Sequence, residues 1–259
     1  MRILITVPWQ RRLAGAERML HTFLTGEQAG EHELEPVFLE DGPWPAELRR
    51  LGLRVEVLRA GRLREPHRYA AAVRRLARIA RSRRPDLMLN WSGKAQLYGA
   101  PAALLAGLGD RVVWWQHGWA SRDPSACLAQ LLPARAIGCT SRAQAAAQAR
   151  MRPHRPTFVV PAGIAPADTS EGGQAPIADL DLPGDVPVVG MIGRLQAWKG
   201  QDRMLEAQAL LRERGVRFHL LLVGGDTYEL SPAYAASLPA TIARLGLERD
   251  VTLTGEVPD

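Results

Sequence analysis

Short apolar runs alternate with amphipathic helical segments along almost the whole chain, and this alternation restricts the possible folds more than any other feature of the sequence. Apolar runs at residues 3–7, 34–39, 55–58, 87–90, 112–116, 136–140 and 158–160 predict strands. Helical patterns at 16–27, 45–51, 69–83, 95–107, 126–132 and 142–151 fall between them. Such repetition implies an α/β fold, a parallel sheet with helices on both faces. Between 161 and 185, Pro, Gly, Ala and Asp dominate and mark a linker. Alternation then resumes, with strands predicted at 188–192, 218–223 and 251–253 and helices at 201–214 and 232–245. Two doubly wound domains are expected, residues 1–165 and 186–259, joined by 166–185. The second holds about 75 residues, fewer than the 100–150 usual for a domain. It ends on a strand with nothing beyond it, so the sequence reads as incomplete.

Charge narrows the choice of partner. The net charge of +6 divides unevenly: residues 1–170 carry 25 Lys/Arg against 14 Asp/Glu, the remainder 8 against 13. Thirteen arginines lie between positions 49 and 84. In the helix predicted at 69–83, Tyr69, Val73, Leu76 and Ala80 form an apolar stripe, while Arg74, Arg75, Arg78 and Arg81 face away from it. A solvated helix face is the plain reading. The sharper one is a peripheral contact with an anionic membrane at its inner face. Nucleic acid is disfavoured, because few aromatics interleave with the basic residues and no binding motif is present.

Residues 97–109, the longest weakly polar stretch, number 13 and are too few to span a bilayer. The N-terminus lacks the architecture of a signal peptide. Cys127 and Cys139 are 12 apart without metal-ligand spacing, which suggests buried thiols in a reducing compartment. A cytoplasmic protein is expected. Of 33 basic residues only Lys94 and Lys199 are lysine, a hint that a compact ammonium is needed where it persists.

One motif stands out chemically. Gly193-Arg194-Leu195-Gln196-Ala197-Trp198-Lys199-Gly200 lies between a predicted strand and a predicted helix. The glycine lets a ligand approach the backbone, and Arg194 and Lys199 bring two cations to a helix N-terminus, where free N–H groups already favour anions. A nucleotide diphosphate suits such a site, with the guanidinium chelating oxygens and the ammonium acting as a point charge. The bland alternative is a tight turn with incidental surface charge.

Gly-Arg-Leu-x-x-x-Lys-Gly in this position resembles the motif of glycosyltransferase family 4, retaining enzymes of GT-B fold. Leu13-Ala14-Gly15-Ala16-Glu17-Arg18 is similar to that family's Gly-Gly-Ala-Glu-Arg loop, and Leu221-Leu222-Val223-Gly224-Gly225-Asp226 to its Val-Gly-x-Gly turn. Val251-Thr252-Leu253-Thr254-Gly255-Glu256-Val257-Pro258-Asp259 resembles its last strand and turn in this region. Thr140-Ser141 and Val160-Pro161-Ala162-Gly163-Ile164 match softer landmarks. The resemblance implies two Rossmann-like domains, the second incomplete. It also implies retaining transfer of a hexose from a nucleotide-sugar donor to a glycan or lipid-linked acceptor, as in cell-envelope polysaccharide synthesis. The nucleotide sugar would be a substrate, with no metal and no other cofactor.

Site residues follow from the same resemblance. Arg194 and Lys199 would hold the donor diphosphate, and Gly15, Gly193 and Gly224 would let the backbone approach the donor. Gly255 and Val257 would pack beside the nucleobase. His117, at a predicted strand's C-terminal end where ligands bind in such sheets, matches a histidine facing the donor sugar. Of the adjoining Trp114 and Trp115, one or both could be an acceptor platform, though core packing suits at least one. Ala162 and Ala14 depart from the family's Asn and Gly. Its Glu-x7-Glu pair would fall beyond Asp259, since Glu206 and Glu213 lie within a predicted helix. Two other readings compete: a non-catalytic half-enzyme binding an anionic surface or partner chain, and a nicotinamide-dependent oxidoreductase. The last lacks a Gly-x-Gly-x-x-Gly turn.

Overall fold

Seven of the apolar runs pair into one parallel sheet. In chain order these strands are β1 (Arg2–Val7), β2 (Glu33–Phe38), β3 (Glu56–Val57), β4 (Leu87–Asn90), β5 (Val112–Gln116), β6 (Ala136–Cys139) and β7 (Thr157–Val159). Their order across the sheet is β3-β2-β1-β4-β5-β6-β7. The order reverses between β1 and β4, as in doubly wound folds. The computed structural model describes residues 1–12, 14–61, 63–151, 154–163, 180, 182–226 and 231–257. They form two compact units, Met1–Pro166 and Ala167–Asp259. Most of the predicted linker, residues 166–185, lies outside the described residues.

The helices of the first unit are α1 (Gly15–Thr25), α2 (Pro43–Arg50), α3 (Pro66–Arg83), α4 (Gly93–Ala106), α5 (Pro124–Leu131) and α6 (Arg142–Met151). Five of them start one to three residues earlier than their apolar pattern. Proline, with its fixed φ and no N–H to lose, opens α2, α3 and α5. In α5 the preceding Asp123 caps the helix, its Oδ1 accepting from the Ala126 N–H at 2.9 Å.

Two apolar layers flank the sheet. On one face Leu4, Val37, Met88 and Val112 pack against Val73, Leu76 and Ala80 of α3 and Tyr98 and Ala102 of α4. On the other, Ile5, Val7, Phe38 and Leu89 pack against Leu20 and Leu24 of α1 and Trp44 and Leu48 of α2. The expected cover on both faces therefore holds over β1, β2 and β4. Toward β7 it does not: Phe158 and Val160 stay 38% and 39% exposed. There the α1 face leaves an apolar groove of about 670 Å³ lined by Met19, Phe23, Leu89, Trp91, Trp115 and Val160 among others. The thiols also differ from expectation. Cys139 is buried in the sheet, but Cys127 on α5 is only half-buried.

The arginine run has two fates. Glu35 is 3% exposed; Arg83 lies 3.3 Å from its carboxylate, Arg54 3.9 Å and Arg2 4.0 Å. Burial pushes the Glu35 carboxyl up, and Arg54 and Arg2 oppose that shift. Arg59 pairs with Asp41, and Arg68 with Glu65. Arg74, Arg75, Arg78 and Arg81 are solvent-exposed on α3, as predicted, and Arg81 also donates to the Leu105 carbonyl. No helix among the described residues is long and apolar enough to cross a membrane.

The second unit has three parallel strands, β8 (Val188–Ile192), β9 (His219–Val223) and β10 (Val251–Gly255), in the order β10-β9-β8. Helices α7 (Gln201–Glu213) and α8 (Pro232–Arg244) share one core with the sheet through Leu205, Leu220, Leu222, Leu238 and Ile242.

One contact fixes how closely α4 lies on the first sheet. Asn90, at the end of β4, is fully buried, and its Nδ2 donates to Gln96 Oε1 at 2.8 Å. A Cβ added at Gly99 would fall 1.8 Å from Asn90 Oδ1. Alanine in place of a mid-helix glycine normally stabilises by up to about 1 kcal/mol. Here Gly99→Ala is expected to destabilise by about 2 kcal/mol, lowering the thermal midpoint by roughly 5 °C. A raised midpoint in calorimetry would refute this packing.

Candidate functional site

Parallel strands all end at the same edge of a sheet, and in each unit that edge gathers the predicted residues. In the second unit, β8 runs into Gly193, whose N–H donates to the Val223 carbonyl at 2.9 Å. Gly224 follows β9 at φ +135°, and its N–H donates to the Gly255 carbonyl at 3.0 Å. A Cβ at Gly224 would fall 2.2 Å from the Gly193 carbonyl oxygen. No side chain fits there, so Gly193, Gly224 and Gly255 meet at three adjoining strand ends with bare backbone. Beside them Glu256 packs over Gly225, and half-buried Val257 follows two residues after β10. Pro258 and Asp259 lie outside the described residues, as does Leu13.

From Gly193 the chain passes through a 3₁₀ turn, Ala197–Lys199, into α7. Buried Gln196 accepts from the exposed Trp198 Nε1–H at 2.9 Å, and Gln201 Nε2–H donates to the Arg194 carbonyl at 2.9 Å. These two bonds hold the turn. The Lys199 stem lies back over Gly193, where an added Cβ would be 4.0 Å from its methylenes, and its ammonium sits 4.3 Å from the Trp198 ring centroid. Among the described residues no carboxylate stands within 4.0 Å of Arg194 or Lys199. Gly200, the residue before α7, has no side chain to cap it, and in the first turn the Asp202 N–H donates to the Tyr234 hydroxyl at 3.1 Å.

In the first unit Gly15 opens α1; among the described residues no side chain caps the helix, and no atom beyond the adjoining backbone comes within 4 Å of the point where a Cβ would stand. His117 sits one residue past β5. Its ring lies 4.8 Å from Trp91, 6.3 Å from Trp9 and 6.4 Å from Trp115, centroid to centroid. This aromatic cage desolvates the imidazole and lowers its pKa to about 4. Among the described residues Nε2 has no hydrogen-bond partner. The ring is thus a neutral group with one vacant polar atom. Of the two predicted tryptophans, Trp114 is core, 1% exposed and packed with Leu97 and Ile137, whereas Trp115 stacks on Trp91 at 4.9 Å. Sequence reasoning did not single out Trp9 and Trp91. Trp91 directly follows β4 and Trp9 lies two residues past β1, and that position was the available signal. Among the described residues no three His, Cys, Asp or Glu side chains group as a metal site would require.

Comparison with known proteins shows the family and the fold. The model "Glycosyltransferase Family 4" matches residues 13–168, and "Glycosyl transferases group 1" matches residues 175–259. The chain belongs to glycosyltransferase family 4, and the protein is a glycosyltransferase. None of the curated proteins matches the sequence. Among solved structures, Anabaena HepE in complex with UDP-glucose is similar at 23% identity and a TM-score of 0.74, over 100% of this chain and 70% of that one. A Rickettsia africae glycosyltransferase matches at 17% identity and 0.68, over 100% and 69%. The catalytic domain of Arabidopsis thaliana starch synthase IV, bound to ADP and acarbose, matches at 12% and 0.61, over 100% and 74%. These likenesses establish the GT-B type of fold.

His117 provides a direct check of the cage. Because its folded pKa is below the unfolded value of about 6.5, acidification from about 6.5 toward about 4 protonates the unfolded state first and costs stability. The His117 proton resonance is expected to titrate near 4 by NMR; a midpoint near the ordinary value would show that the cage is open to water.

Proposed function

We propose that the protein transfers a sugar from a nucleotide-sugar donor to a glycan or lipid-linked acceptor with retention, without a metal. The observation that carries this reading is the pair of cations Arg194 and Lys199, without carboxylate partners among the described residues, beside the side-chain-free backbone at Gly193, Gly224 and Gly255. A departing nucleoside diphosphate concentrates negative charge on its phosphates. Two cations beside a helix N-terminus are placed to stabilise that charge. They supply the positive charge that a divalent ion would otherwise provide. Gly255 and Val257 are the proposed wall for the base, and Gly15 a further backbone approach for the donor.

His117 is the proposed partner of a donor-sugar hydroxyl. A neutral imidazole can accept through Nε2 or donate from it according to tautomer, and three tryptophan rings stand around it. It positions the sugar and does not carry a proton in the reaction.

Binding tests the donor site. A bound uridine diphosphate would make charge-assisted hydrogen bonds worth about 1.5–3 kcal/mol each. Arg194→Ala and Lys199→Ala are each therefore expected to weaken uridine diphosphate binding about tenfold or more by calorimetry. Unchanged binding in both variants would refute the assignment. With the donor site established, retention is read from the anomeric configuration of the product and metal independence from turnover in a chelator.

Four solvent-facing arginines on α3 support a second contact, with an anionic membrane. Co-sedimentation with phosphatidylglycerol vesicles is expected at low salt, fading as screening increases. Replacing Arg74, Arg75, Arg78 and Arg81 by Gln should abolish it; equal binding by that variant would remove the proposal.

A further inference from the structure

The turn that carries Lys199 is built around one buried side chain. Gln196 is 6% exposed and acts twice. Its backbone carbonyl accepts from the Lys199 N–H at 2.8 Å, and its Oε1 accepts from the Trp198 Nε1–H at 2.9 Å. The indole is therefore tethered at its edge, although Trp198 is 70% exposed. Directly behind Lys199, Gly200 at φ +81° turns the chain into α7. The lysine side chain lies between two surfaces. Its Cδ and Cε are 4.0 Å from the point where a Cβ would stand on Gly193, and its Nζ is 4.3 Å from the Trp198 ring centroid.

What holds a cation decides what that cation can still do. A carboxylate would offset the ammonium's charge and compete with an incoming phosphate for the same N–H donors. An aromatic face attracts an ammonium through the ring quadrupole, within about 6 Å of the centroid, and leaves its charge in place. Lys199 has the second kind of partner and, among the described residues, none of the first. A lysine side chain also gives up much of its rotamer freedom when it grips a ligand. Where that freedom is already restricted, binding loses less of it. We propose that Trp198 is a positioning residue of the donor site: its indole, tethered by Gln196, holds the Lys199 ammonium in place and charged for the diphosphate of a nucleotide. The role of the diphosphate rests on the donor reading given above; the hold on the ammonium does not.

The scarcity of lysine makes the test selective. Lys94 and Lys199 are the only lysines, so reductive methylation of the whole chain with isotope-labelled formaldehyde gives one NMR dimethyl-lysine signal for each, assigned with Lys94→Arg. Without ligand, the Lys199 methyl protons are expected upfield of free dimethyl-lysine through the ring current of Trp198. Trp198→Leu should remove that displacement and weaken uridine diphosphate binding about two- to fivefold by calorimetry, the range of an exposed cation–π contact. Trp198→Phe keeps a ring face and should retain both, which separates the contact from any disturbance of the turn by leucine. On a Lys199→Ala background Trp198→Leu is expected to add nothing, because the indole acts through the ammonium. A ring that only braced the turn or stacked on the nucleotide would add its own loss there. A Lys199 signal at the free dimethyl-lysine position overturns the inference, and so do additive losses or tighter binding by Trp198→Leu. Failure of the donor assignment reads differently: Lys199→Ala then leaves uridine diphosphate binding unchanged, which removes the donor role of Trp198 but leaves the ring-current displacement in place.

Discussion

A strand–helix–strand unit can return to its sheet in essentially one sense, right-handed, because a right-twisted strand and a right-handed helix pack together only that way. The candidate site residues depend on that strand–helix–strand connection. Each helical crossover brings the next strand back parallel to the last, so that every strand ends at the same edge of its sheet and opens there into a loop. Gly15 and His117 follow β1 and β5. Gly193, Gly224 and Val257 follow β8, β9 and β10, with Gly255 closing the last of these. The opposite edge of each sheet carries none of them. A fold of this kind can exchange its chemistry by changing loops while the cores, built on Leu76 and Tyr98 or on Leu205 and Leu222, stay as they are.

The alternation of apolar runs was enough to find these strands, since a buried parallel strand must be apolar on both faces. Helix starts were less legible. Periodicity reports the side chains that touch the core, whereas α2, α3 and α5 begin at prolines that need not touch it. The glycine motif was legible because close backbone approach leaves a mark that no other residue can carry: Gly224 has no room for a Cβ. The cage around His117 was not, because Trp9, Trp91 and Trp115 are far apart in sequence and meet only when β1, β4 and β5 are aligned.

Charge shows the same division. Thirteen arginines between positions 49 and 84 look alike in sequence, and only the fold sorts them. Arg83 and Arg54 reach a carboxylate, Glu35, that is 3% exposed. Removing such partners leaves a buried charge uncompensated, which costs far more than an exposed pair contributes. Arg74, Arg75, Arg78 and Arg81 lie on the solvent side of α3, where a charge costs nothing to hold and stays available to a partner. Spacing separated this helical group from the rest, since helical period alone decides which side faces water. The partners of Arg54 and Arg83 are long-range contacts and left no local trace.

The two lysines bring these points together. In a chain whose basic residues are otherwise all arginine, each lies just past a strand end, Lys94 after β4 and Lys199 after β8. A guanidinium is planar and needs two parallel acceptors to use its geometry, whereas an ammonium is compact and can turn its three donors in several directions. Lys199 folds its stem over Gly193 and ends against the Trp198 ring, a space that a longer, planar head would fill differently. Lys94 meets a single Glu40 oxygen at 2.6 Å beside an open cavity, a one-point contact that leaves its other donors directed elsewhere. The same requirement, a small rotatable cation at the mouth of a parallel sheet, accounts for lysine at both positions.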